Sequence, residues 1–99
     1  MYNLPRVITY DPAKNTRNIV ERGLSFDKVA LFDFDTALVH LDTRKNYGEM
    51  RYSAIGHIEL RLHVVVFIET KTGLRVISLR KANRREELDY AQRQKADNQ

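Results

Sequence analysis

Residues 60–69, "LRLHVVVFIE", constrain this chain more than any other stretch, because Val64 to Ile68 is apolar at odd and even positions alike. Successive side chains of a strand point to opposite faces, so a run with no polar face reads as a central strand covered on both sides. The segments around it read as its neighbours. Upstream, "TALVHLD" sets Ala37, Val39 and Leu41 against Thr36, His40 and Asp42, and "EMRYSAIG" sets Met50, Tyr52 and Ala54 against Arg51 and Ser53. Such alternation predicts half-buried strands. Downstream, "TKTG" makes a tight turn and "LRVISLR" returns as a last strand that delivers Arg80 at its end.

The period is helical before residue 36. After a short β-like run, "RVITY", Asp11 and Pro12 supply an N-cap and a proline at the first helical position. The spacing of Ala13, Val20 and Leu24 predicts a helix over about 12–22, closed by Gly23 as a left-handed C-cap. Ser25 caps a second helix, "FDKVALF", with Phe26, Val29, Ala30 and Phe32 inward. A last short helix begins at about Asn83, and the polar segment from about 92 to 99 reads as a frayed tail. The expected order is β-α-α-β-β-β-β-α in a single domain spanning 1–99: an α+β fold whose mostly antiparallel sheet packs against helices.

Composition narrows the chemistry. With 42% hydrophobic and 30% charged residues the chain has the balance of a soluble globular domain. It has no cysteine, which excludes disulfides, thiolate metal sites and a cysteine nucleophile. No metal is expected: there is no H-E-x-x-H or comparable spacing, and "DFD" at Asp33 and Asp35 reads as a turn. Scattered glycines exclude a phosphate-cradling loop, and no cofactor is expected. "MYNLPRVITYD" lacks the features of a secretory signal and no apolar run approaches membrane-spanning length, so the expectation is a cytoplasmic chain without membrane contact.

Net charge is +4 and uneven: residues 1–43 hold five basic and six acidic side chains, residues 44–99 twelve and seven. Such an excess favours an anionic partner, nucleic acid or an acidic protein. It peaks in "RKANRREE", residues 80–87. Asn83 and Glu86 have capping-box spacing, which puts Arg84 and Arg85 in a first helical turn. Helix N-termini already carry partial positive charge, so each arginine there costs roughly 0.3–1 kcal/mol. A solvated charged face is the plain reading of a charge run, and the adverse placement favours a function instead. A strand end carrying Arg80 and Lys81, beside a helix N-terminus, suits a phosphate. Glu86 and Tyr90 lie four apart on one helical face.

Metal-free RNA cleavage needs an acceptor for the 2′-hydroxyl proton, positive charge at phosphorus and a donor for the leaving 5′-oxygen. Arg80, Arg84 and Arg85 supply charge, and Glu86 is the nearest base, kept ionised and therefore weak by the cations around it. The acid is open between Tyr90 and a histidine brought over by the fold. Arg51 points either to solvent or into a site on the sheet. His40 stands alone on the polar face of its strand, and a turn expected near Ile58 leaves the proximity of His57 and His63 open.

Three segments in this order and spacing, "DPAKNTRNIVERGLSF" at 11–26, "GEMRYSAIG" at 48–56 and "RVISLRKANRREELDY" at 75–90, resemble the BrnT family of type II toxins. The resemblance implies a RelE-like ribonuclease toxin that blocks translation by cutting RNA without metal or cofactor. It also implies a BrnA-type antitoxin partner, with promoter DNA bound through the antitoxin complex. It places Arg51 on the arginine of the family's "ERF"-like strand and Arg80 on the arginine ending its "IS-x-R" strand. Arg85, Glu86 and Tyr90 fall on its "RRE…Y" helix. Lys14 and Asn18 match the polar face of the first helix, either exposed or RNA-facing, and Lys81 joins Lys14 as an RNA-binding candidate. One departure is Arg22, where the family typically shows histidine before the glycine. The alternative, prompted by Arg22 and the unassigned acid, is an inactive module that holds an acidic antitoxin or nucleic acid. Direct DNA reading is disfavoured, since no helix-turn-helix pair precedes the basic cluster.

Overall fold

The computed structural model describes residues 7–44, 46 and 48–97. Arg6 of the first β-like run, and Asn98 and Gln99 of the expected tail, lie outside them. Strand β1 (Val7–Tyr10) leads into helix α1 (Pro12–Arg22), then a 3₁₀ helix (Phe26–Leu31). Strands β2 (Leu38–Leu41), β3 (Tyr52–Ile58), β4 (Arg61–Glu69) and β5 (Gly73–Lys81) follow, and helix α2 (Arg84–Asp97) runs on through most of the segment expected to fray. The sheet order is β1-β5-β4-β3-β2, with β1 parallel to β5 and the other pairs antiparallel. This is an α+β fold on a five-stranded mixed sheet.

Local chemistry sets the helix boundaries. The Ala13 N–H donates to Asp11 Oδ1 at 3.0 Å, and at the other end Gly23 (φ 69°) donates its N–H to Ile19 O at 2.8 Å. That left-handed conformation is one a side chain resists. The second helix is 3₁₀ rather than α, and the sequence shows why. Phe26, Val29 and Phe32, the buried side chains, recur every third residue, which matches three residues per turn. Ala30, expected inward on an α-helical period, is exposed instead.

As expected of a central strand, β4 is buried from Leu62 to Phe67. One sheet face packs Val65, Phe67, Leu74, Val76 and Leu79 against Phe26, Val29 and their neighbours. The other packs Leu62 and Val64 with Ala82 and Tyr90. Strand β2 departs from expectation. Val39 and Leu41 are 48% and 43% exposed because β2 is an edge strand, while Leu38, which the alternation left unassigned, packs on the second cluster with Ile55.

Strand β1 pairs only with Gly73–Val76, so the rest of β5 would present an unpaired edge. Helix α1 fills it: Asn18 Nδ2 donates to Leu79 O at 3.0 Å and to Leu24 O at 2.9 Å. Asn18 is therefore buried, neither exposed nor RNA-facing as its place on the polar helix face suggested. A buried carbonyl without a donor is costly, and this amide satisfies two.

Candidate active site

Strand alternation decides what the end of β5 can do. Ser78 and Arg80 emerge on the α2 side of the sheet, and Lys81 on the other. Two residues later α2 begins as a reciprocal capping box: Glu86 N donates to Asn83 Oδ1 at 2.8 Å, and Asn83 N to Glu86 Oε1 at 2.9 Å. The cap fixes the carboxylate beside Arg80, whose Nη1 and Nη2 reach Oε1 and Oε2 at 2.8 Å each. A bidentate guanidinium–carboxylate pair is directional and charge-assisted. The hydrogen bond from Arg80 holds the Glu86 carboxyl below its usual range, with a smaller part from the Asn83 N–H, and desolvation opposes it. Arg80 is shifted up by the same bond, so both partners favour their charged forms.

This pair forms one wall of a cleft of about 510 Å³ over the sheet. Ser53, Ser78, Val64 and Val66 line its sheet side, and Arg22 reaches in from the end of α1. The Arg22 Nη1 donates to Asn18 Oδ1 at 3.3 Å and Leu79 O at 3.5 Å, so the edge contact that seats α1 also steers this guanidinium. His40 and the Asp42–Arg44 pair also line the cleft. Asp42, expected on a polar face, is buried and accepts from Arg44 Nε and Nη2 at 2.9 and 2.8 Å.

The other candidates are placed unequally. Arg51 is half-buried, pairs with Glu49 at 3.1 Å, and lines an adjoining hollow that shares Leu41, Asp42 and Thr43 with the cleft. Arg84 and Arg85 are exposed on the first turn of α2 and do not line the cleft. Tyr90 is 7% exposed, and its hydroxyl donates to Thr36 O at 2.9 Å. Lys81 lines a separate hollow with Lys28, Arg61 and buried His63, and Lys14 is exposed on α1. Ser53 and Ser78 were not among the sequence candidates, whereas Arg22 stood out only as a departure from the family and His40 only as one of the histidines the fold could bring over. Ser78 carries a legible signal, since it stands two residues from Arg80 on the same face of β5.

Residues 10–86 match the model of a protein family described as "Ribonuclease toxin, BrnT, of type II toxin-antitoxin system". The chain belongs to the BrnT family. No curated protein matches it. The BrnT match runs from the last residue of β1 through the sheet to Glu86, and so contains the Arg80–Glu86 pair while Tyr90 lies beyond it. A BrnT chain is a ribonuclease toxin, with RNA as substrate and an antitoxin as partner. Among the described residues, no three His, Asp or Glu side chains converge on a metal-sized site, and no helix is long and apolar enough to cross a membrane.

Proposed function

We propose that the cleft beside the Arg80–Glu86 pair is the ribonuclease site of this toxin and that it works without metal. The observation that carries the reading is the bidentate pair at the cleft wall, with Arg22 lining the same space. Arg80 and Arg22 hold the scissile phosphate and offset the charge that grows on it, as preorganised cations do in a site they need not reorganise. Glu86, ionised in this setting, accepts the 2′-hydroxyl proton. Arg51, Arg84 and Arg85 act further out, raising the local concentration of a polyanion and gripping flanking phosphates. Lys14 and Lys81 belong to that outer field. Tyr90 carries packing rather than proton transfer, since its hydroxyl is committed to Thr36.

The wider reading is that of a RelE-like toxin in the cytoplasm. It cuts RNA to block translation, is neutralised by a BrnA-type antitoxin, and meets promoter DNA only through that complex. Its support is family membership together with an α+β layout in which helices precede the sheet hairpins.

The test is end-labelled RNA incubated with the purified chain in excess EDTA, the Arg80→Ala variant alongside, with product ends mapped. Cleavage that leaves 2′,3′-cyclic phosphate and is lost in the variant is the expected result. Tight, salt-dependent RNA or antitoxin binding with no cleavage would instead favour the inactive-module reading, for which the neutralisation of Arg80 by Glu86 is the structural argument.

A further inference from the structure

Cutting RNA by its own 2′-oxygen moves two protons. One leaves the 2′-hydroxyl as the O2′–P bond forms, and one reaches the 5′-oxygen as the P–O5′ bond breaks, giving a 2′,3′-cyclic phosphate and a 5′-hydroxyl. If Glu86 takes the first, the cleft must hold a donor for the second. Arginines keep their protons at any working pH. The Tyr90 hydroxyl is spent on Thr36 O and the residue is buried. Asp42 is buried against Arg44, and Asp89 pairs with Arg93 at 3.3 Å. His57 packs edge-on to Tyr90, with ring centroids 5.6 Å apart, and His63 lines the separate hollow with Lys81.

One imidazole among the described residues lines the cleft, that of His40. We infer that His40 is the general acid of the cleft, protonating the leaving 5′-oxygen.

Its position suits that step. His40 lies on edge strand β2, paired with Ser53, whereas Arg80 lies on β5, across β3 and β4. Three strand spacings put about 14 Å between the two backbones. Both side chains enter the same cleft from opposite walls, over a floor that includes Ser53, Val66 and Ser78. Displacement at phosphorus is in line, so the attacking and leaving oxygens lie on opposite sides of it. A phosphate drawn to Arg80, with its 2′-oxygen toward Glu86, turns its 5′-oxygen toward β2. His40 is also exposed and outside both core clusters, so replacing it leaves the core packing intact. An imidazole is suited to the task because it is the side chain whose ordinary titration range spans neutrality.

This inference rests on the ribonuclease reading of the cleft, and the test separates the two. The parent chain and His40→Ala are each given, in EDTA, a short RNA with one cleavable linkage and the same RNA with sulfur replacing the leaving 5′-oxygen. A thiolate departs without being protonated. His40→Ala is expected to cut the oxygen substrate about 10²- to 10⁴-fold more slowly, the range of general acid catalysis, and the sulfur substrate within a few-fold of the parent. Parental rates on both substrates, or an equal loss on both, would overturn the assignment of His40 alone. A parent chain that cuts neither substrate would overturn the cleft reading and the assignment with it.

Discussion

Glu86 does two jobs with one carboxylate, capping α2 through Asn83 and pairing with Arg80. Because its folded-state carboxyl lies below its ordinary value of 4.5, the stability it contributes is full above that value and is lost as the pH falls through the folded one. Melting temperatures of the parent and Glu86→Gln should therefore differ most near neutrality and converge on acidification; a gap that widened instead would contradict the shift. In Arg80→Ala the Glu86 carboxyl should titrate closer to its ordinary value, which carboxyl-carbon NMR would read directly. Asn18 is the second telling residue. Asn18→Ala removes a buried amide donor from two carbonyls, Leu79 O at the edge of β5 and Leu24 O just after α1. An unsatisfied buried group costs about 1–3 kcal/mol. Urea denaturation should show a loss of that size or more, and a neutral result would mean that water or a neighbour replaces the amide.

At the scale of elements, α2 is held at its start by the capping box and along its length by Tyr90 and Gln94, both of which donate to Thr36 O at 2.9 Å. Asn83→Ala should cost about 1 kcal/mol, the usual value of an N-cap. It should also slow cleavage, because the cap positions Glu86 beside Arg80. Tyr90→Phe removes one hydrogen bond, worth about 1 kcal/mol, but leaves the aromatic packing. Its cleavage rate should stay within a few-fold of the parent, and a loss on the scale of Arg80→Ala would restore Tyr90 to the chemistry. Close packing between elements makes a further demand at Gly56 on β3, where an added Cβ would lie 2.8 Å from Phe32 Cζ and 3.0 Å from Ala37 Cβ. Alternation along β5 explains why Arg80 and Lys81, adjacent in sequence, serve different faces of the sheet.

Over the whole molecule, the excess of positive charge is the property a polyanion meets first. Affinity for single-stranded RNA should fall as salt rises, and Arg80→Ala should flatten the log–log slope by about 0.7, the share of one neutralised phosphate on a single strand. Filter binding at several salt concentrations would measure both, and an unchanged slope would place Arg80 away from the phosphates. What the sequence determined by itself is what neighbours within a few residues decide. The Asp11 and Gly23 caps of α1, the Asn83–Glu86 box, the doubly covered run of β4 and the delivery of Arg80 at the end of β5 all rest on such short-range chemistry. The helix that Ser25 caps belongs with them, although its 3₁₀ winding, which leaves Ala30 exposed, departs from the α-helical expectation. Only the tertiary structure decided the rest. The order β1-β5-β4-β3-β2 leaves β5 half-paired, so α1 docks there through Asn18 and turns Arg22 into the cleft. The same order sets His40 on the wall opposite Arg80 and spends the Tyr90 hydroxyl on Thr36. The side-chain hydrogen bonds among these join residues 54 to 61 positions apart, and closing loops of that length is governed by the packing of the whole sheet, which no local pattern records.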